Sequence, residues 1–252
     1  MIKLLRRLRI CNPALYYFGW LCLAGASICA ILIQTSGLQV GGLPAALKPV
    51  KFFLSIWIAV WTLGWMVSYL KSERARRHFT IATIIAMSTE LLIICGQAAR
   101  GRMSHFNVET ALDQRLFMTM GIAITAFTVW TAVVAVKFFK PLRVTLPKPL
   151  LWGIRLGLIA FVVFGFEGGV MGSLLRHSVG GPDDAGGWPI VHWSARFGDL
   201  RIVHFFGLHS LQILPLFGYL FRRKPEAFRT STILYLSAVV ALLVRAVMGL
   251  PL

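Results

Sequence analysis

The chain has 252 residues, of which 57% are apolar and only 14% charged, and its formal net charge is +17. So little charge among so many apolar residues excludes an ordinary soluble domain. The apolar residues come in long blocks without period-2 alternation, which excludes a β-barrel and predicts an all-α polytopic membrane protein.

In chain order the blocks predict seven transmembrane helices, at about 14–35, 52–70, 79–99, 114–136, 151–174, 202–221 and 230–248. Each approaches the roughly 20 residues that cross a hydrocarbon core about 30 Å thick. The first follows "MIKLLRRLRICNPA", which resembles the basic region of a signal peptide. The apolar run behind it is about 22 residues, longer than the usual 7–15 of a cleaved core, and Ile28 before Cys29 fits no lipobox, so a retained first helix is expected.

Orientation follows from the basic residues. With the N-terminus cytoplasmic, the inner segments hold Lys3, Arg6, Arg7, Arg9, Lys71, Arg74, Arg76, Arg77, Lys137, Lys140, Arg143, Lys148, Arg155, Arg222, Arg223, Lys224 and Arg229, which is 17 of the 26 Lys and Arg. Seven spans then put the C-terminus extracytoplasmic. The positive charge is thereby explained by topology and by anionic lipid head groups at the cytoplasmic face. It does not argue for nucleic acid, since no folded domain presents it to a duplex. Cys11, Cys22, Cys29 and Cys95 contain no CxxC pair and read as small buried residues. The whole chain, 1–252, reads as a single seven-helix transmembrane domain.

Histidines do not obey the charge rule, yet only His78 of the six is on the inner side. His105, His177, His192, His204 and His209 cluster outside or in the outer half of a span, which points to a site opening extracytoplasmically. In "GDLRIVHFFGLHSLQILPL", Arg201, His204, His209 and Gln212 fall on one arc of a helix. Pro215 inside the span is expected to kink it. In span three, Thr83, Glu90 and Gln97 recur every seven residues on one face. Glu90 lies near mid-membrane, where a carboxyl group is costly unless it is paired or protonated. Glu167 lies in "FGFEGGVMGS", at about the depth of His209, and Gly168 and Gly172 form a small-xxx-small face. Residues 105–113, if helical, align His105, Glu109 and Asp113 at metal-ligand spacing. Ser104 and Asn107 equally suit a helix N-cap. "GGPDDAGGW" reads as a turn, with Asp183 and Asp184 as a weaker cation candidate.

"LKPVKFFLSIWIAVWTLGW", "QAARGRMSHFN", "LLWGIRLGLIAF" and "GDLRIVHFFGLHSLQILPL" resemble a family of uncharacterised bacterial multi-pass integral membrane proteins, over about residues 40–221. The resemblance implies the bacterial inner membrane and supplies no mechanism. No Schiff-base lysine in span seven, Walker loop, GxSxG elbow or CxxCH site is present.

Three readings of the site follow. The first is a metal-dependent hydrolase of a lipid or small amphiphile. His105, His204 and His209 would bind a divalent metal such as zinc, with Asp113 or Asp199 as a further ligand. Glu90 or Glu167 would be the general base. Gln97, Arg100, Asn107, Arg201 and Gln212 would bind substrate. The five-residue spacing of His204 and His209 departs from an HxxxH zinc motif. The second is a b-haem or quinol-linked redox protein, with His105 and His204 as axial ligands. The third is a proton-coupled small-molecule transporter relaying protons through Glu90, Glu167 and His209. A sensor or assembly factor completes the range.

Overall fold

The computed structural model describes residues 2–183 and 186–252. Asp184, one half of the expected cation turn, lies outside the described residues. Eight helices appear among the described residues: α1 (Ile2–Cys11), α2 (Pro13–Thr35), α3 (Leu47–Val67), α4 (Glu73–Ala99), α5 (Ala111–Lys137), α6 (Lys148–Leu174), α7 (Leu200–Leu220) and α8 (Pro225–Val247). Two short hairpins accompany them, β1 (Gln39–Val40) with β2 (Leu43–Pro44), and β3 (Ser178–Val179) with β4 (Gly198–Asp199). Seven helices, α2 to α8, are long and apolar enough to cross a membrane. They bear out the seven-span all-α reading.

Their large apolar side chains face outward to an extent no water-soluble bundle tolerates. Leu92 is 74% and Ile122 68% exposed. Most spans begin before the apolar run does. α4 starts at Glu73, because the Ser72 hydroxyl accepts from the Ala75 N–H and caps a polar first turn. A hydropathy criterion sees only the hydrocarbon part of such a helix.

The chain divides into two compact units, Met1–Val144 and Thr145–Leu252. In the first, the basic N-terminal stretch is itself helical. Asn12 ends α1 and caps α2, its Oδ1 accepting from the Leu15 N–H, with Pro13 opening the new helix. The buried Leu8 of α1 sits against Gly64 of α3, and Trp61 of α3 stacks on Tyr16 of α2 while its Nε1 donates to the Tyr16 carbonyl at 3.1 Å. α4 packs on α3 and α5.

In the second unit α6 and α7 form the most intimate pair. A Cβ at Gly153 would collide with the Leu214 carbonyl, and one at Gly157 would lie 2.9 Å from the Ser210 carbonyl. The close approach thus runs through Gly153 and Gly157, a small-xxx-small pair about one helical turn apart. α7 stays helical through Pro215, which packs against Gly157. α8 closes the unit through Tyr235, whose hydroxyl donates to the Phe206 carbonyl at 2.5 Å, and through a core of Ala160, Phe164, Val203 and Val239.

Candidate functional site

Each unit carries its own polar cluster. In the first, Thr83, Glu90 and Gln97 of the heptad stripe on α4 are all buried. The stripe ends at Asp113, which is fully buried. Gln97 Nε2 donates to Asp113 Oδ1 at 2.8 Å, Arg100 Nη1 donates to the same oxygen at 3.1 Å, and the Thr110 hydroxyl donates to Oδ2 at 2.7 Å. Arg100 also donates to Gln97 Oε1 at 2.5 Å. Charge-assisted bonds from three side chains fasten the end of α4 to the start of α5.

The expected helix over 105–113 is not formed. Residues 101–110 make a loop, Gly101 and Phe106 take φ of +67° and +59°, and α5 starts only at Ala111. His105, Glu109 and Asp113 therefore share no helical face, and the metal-ligand spacing read from them does not exist. Thr110, not Ser104 or Asn107, is the N-cap, its hydroxyl accepting from the Asp113 N–H at 3.1 Å. Asn107 instead braces the loop, donating to the Met103 carbonyl at 3.0 Å and accepting from the Glu109 N–H at 3.1 Å. It also lines an open cleft of about 300 Å³, with Val40, Gly41, Gly101, Arg102, Met103 and Glu109. The His105 ring lies among Phe52, Phe106 and Phe117, and its Nδ1 is 3.1 Å from the Ser104 hydroxyl.

In the second unit two groups line the junction of α6 and α7. Glu167 Oε2 is 3.0 Å from His204 Nδ1. The other carboxyl oxygen, Oε1, is buried without a hydrogen-bond partner. Gly168 allows this pairing, since a Cβ there would sit 2.5 Å from His204 Cε1. By depth along the spans, Glu167 is expected to lie level with His209. The structure pairs it with His204, while His209 Nδ1 lies 3.2 Å from Gln212 Oε1 and its ring 4.3 Å from that of Phe205.

The second group gathers around the buried Asp199, the N-cap of α7. Arg201 grips it from Nε at 2.9 Å and Nη2 at 2.6 Å, and the Ser194 N–H donates at 2.8 Å. Arg201 Nη2 also reaches the His192 carbonyl at 2.5 Å. His177 stands between two carboxylates, 3.4 Å from Asp183 and 3.7 Å from Asp199. Burial acts to raise the Asp199 carboxyl. The Arg201 hydrogen bond and charge, the Ser194 N–H and His177 outweigh it and hold the group below its ordinary range. Asp183 accepts the His177 and Ser178 N–H groups at 3.2 and 2.7 Å, the work of a turn anchor. Sequence reasoning missed the roles of Thr110, His177 and Ser194. The Thr110-x-x-Asp113 spacing of a capping box was the readable signal for the first of them.

Among the described residues no group of three or more His, Cys, Asp and Glu side chains is placed to hold a metal ion. No family model matches the chain, and neither a curated protein nor a solved structure is significantly similar to it.

Proposed function

We propose that the protein is a proton-coupled carrier of a small molecule in the bacterial inner membrane, and that Glu167 and His204 are its proton-exchanging pair. One observation carries the reading: Glu167 and His204 are hydrogen-bonded at 3.0 Å inside a membrane span while Glu167 Oε1 is left buried and unpartnered. A carboxyl group at that depth is a functional candidate because hydrocarbon penalises it. The pair keeps its hydrogen bond in either protonation state. With the carboxylate ionised, Nδ1–H donates to Oε2; with the carboxyl protonated, its O–H donates to a neutral Nδ1. Such a bond permits a proton to arrive and leave without breaking the contact.

The distribution of basic residues supports an outward-facing position for this pair, at the C-terminal end of α6 and the N-terminal end of α7. Glu90 supports a second protonatable station in the first unit. The hydrolase reading draws less support, because among the described residues no group of three or more His, Cys, Asp and Glu side chains is placed to hold a metal ion. In the redox reading the Glu167 contact at Nδ1 would orient the His204 ring and leave Nε2 as the ligand atom.

Proteoliposomes enclosing a pH-sensitive dye test the carrier. A panel of small solutes and amphiphiles is added outside, and proton entry is followed. A carrier gives solute-dependent proton entry in the wild type that Glu167→Gln lacks. Metal-dependent cleavage of a panel member without proton movement would favour the hydrolase instead.

A further inference from the structure

The first unit concentrates guanidinium groups where α1 meets the turn between α3 and α4. Arg7 donates from Nε to the Ser68 hydroxyl at 3.1 Å and lies 4.1 Å above the Tyr69 ring. The Arg143 N–H donates to the Tyr69 carbonyl at 2.9 Å, which brings this residue to the same turn. Arg76, in the first turn of α4, is only 8% exposed, and its Nε is buried with no hydrogen-bond partner. The charge of Arg143 bears directly on that of Arg76. Among the described residues the carboxylate paired with Arg76 is Glu73, itself 81% exposed. Like charges brought together beside a helix N-terminus are unfavourable unless an anion joins them.

We propose that this cluster binds the phosphate of an anionic phospholipid, held by Arg7, Arg76 and Arg143. Guanidinium groups suit the oxygens of a phosphodiester. A lipid is the anion at hand, because the cluster sits at the turn between α3 and α4, two helices long and apolar enough to cross a membrane. The site lies in the other unit from Glu167 and His204 and is independent of the carrier reading.

The test is a titration of delipidated protein in neutral detergent, read by native mass spectrometry and by thermal unfolding. Phosphatidylglycerol, phosphatidylcholine and inorganic phosphate are the three probes. One phosphatidylglycerol should bind in preference to phosphatidylcholine and raise the unfolding temperature. The paired substitution Arg7→Gln with Arg143→Gln should weaken that binding by about tenfold or more, since each basic residue adds a similar increment. These two residues are chosen because Arg76→Gln alters a buried position and risks misfolding. Equal binding of the two lipids, or unchanged affinity in the paired variant, would overturn the proposal. Equal stabilisation by inorganic phosphate would overturn the lipid and leave a free-anion site.

Discussion

Glu167 of α6 and His204 of α7 meet at 3.0 Å because Gly168 leaves room for the imidazole beside it. The pairing thus depends on a residue with no chemistry of its own. A Cβ at Gly168 would push the ring away, whereas Gly169, the next residue, has nothing within 4 Å of its would-be Cβ. Gly168→Ala is expected to reduce proton exchange sharply while the bundle stays folded, and Gly169→Ala to leave it intact. Solute-dependent proton entry in proteoliposomes, with circular dichroism as the folding control, checks both.

The α6–α7 contact should tolerate no side chain at Gly157. Its Cβ would lie 2.9 Å from the Ser210 carbonyl and 3.3 Å from Pro215 Cδ, and backbone yields less readily than a side-chain tip. Gly157→Leu is expected to cost about 2 kcal/mol or more, the range of overpacked cores. The readout is a lower midpoint of thermal unfolding in detergent. An unchanged midpoint would mean that the helices part without cost.

Asp113 is expected to act as architecture. Its oxygens already accept from Gln97, Arg100 and Thr110. Asp113→Ala leaves those donors without their acceptor, at a cost of about 1–3 kcal/mol. Its unfolding midpoint should fall, yet proton exchange per folded molecule should stay at the wild-type level. A folded, stable Asp113→Ala protein that exchanges no protons would return Asp113 to the site itself.

Asp199 should make the second unit acid-sensitive. Its carboxyl is held below the ordinary value of 3.8, so the folded state favours the carboxylate more than the unfolded chain does. The stabilisation is therefore complete above about pH 4 and is lost as pH falls through the lower folded value. Asp199→Asn removes that dependence and loosens the segment that Ser194, His192 and Arg201 tie to the end of α7. Limited proteolysis within 175–199 at neutral pH should be faster in Asp199→Asn. In the wild type it should accelerate only under strong acid.

The spans were legible because the bilayer imposes one length and one polarity on every crossing. The stripe of Thr83, Glu90 and Gln97 was legible for a similar reason, a period of seven on one helix. What the sequence concealed lies between helices. Glu167 finds His204 and not His209 because α6 and α7 close on each other through Gly153, Gly157 and Gly168, and no periodicity within one helix encodes a register between two. The false helix over 105–113 shows the converse error. A four-residue recurrence of acceptable ligands suggested a face, while Gly101, Phe106 and the Thr110 cap set the backbone otherwise.

In the proposed carrier Glu167 takes up and releases a proton beside His204. Infrared difference spectroscopy of the purified protein across a pH titration reads that proton. A protonated-carboxyl band should appear on acidification, be absent in Glu167→Gln, and shift in His204→Gln as the hydrogen bond changes. A spectrum of Glu167→Gln identical to wild type throughout the titration would contradict it.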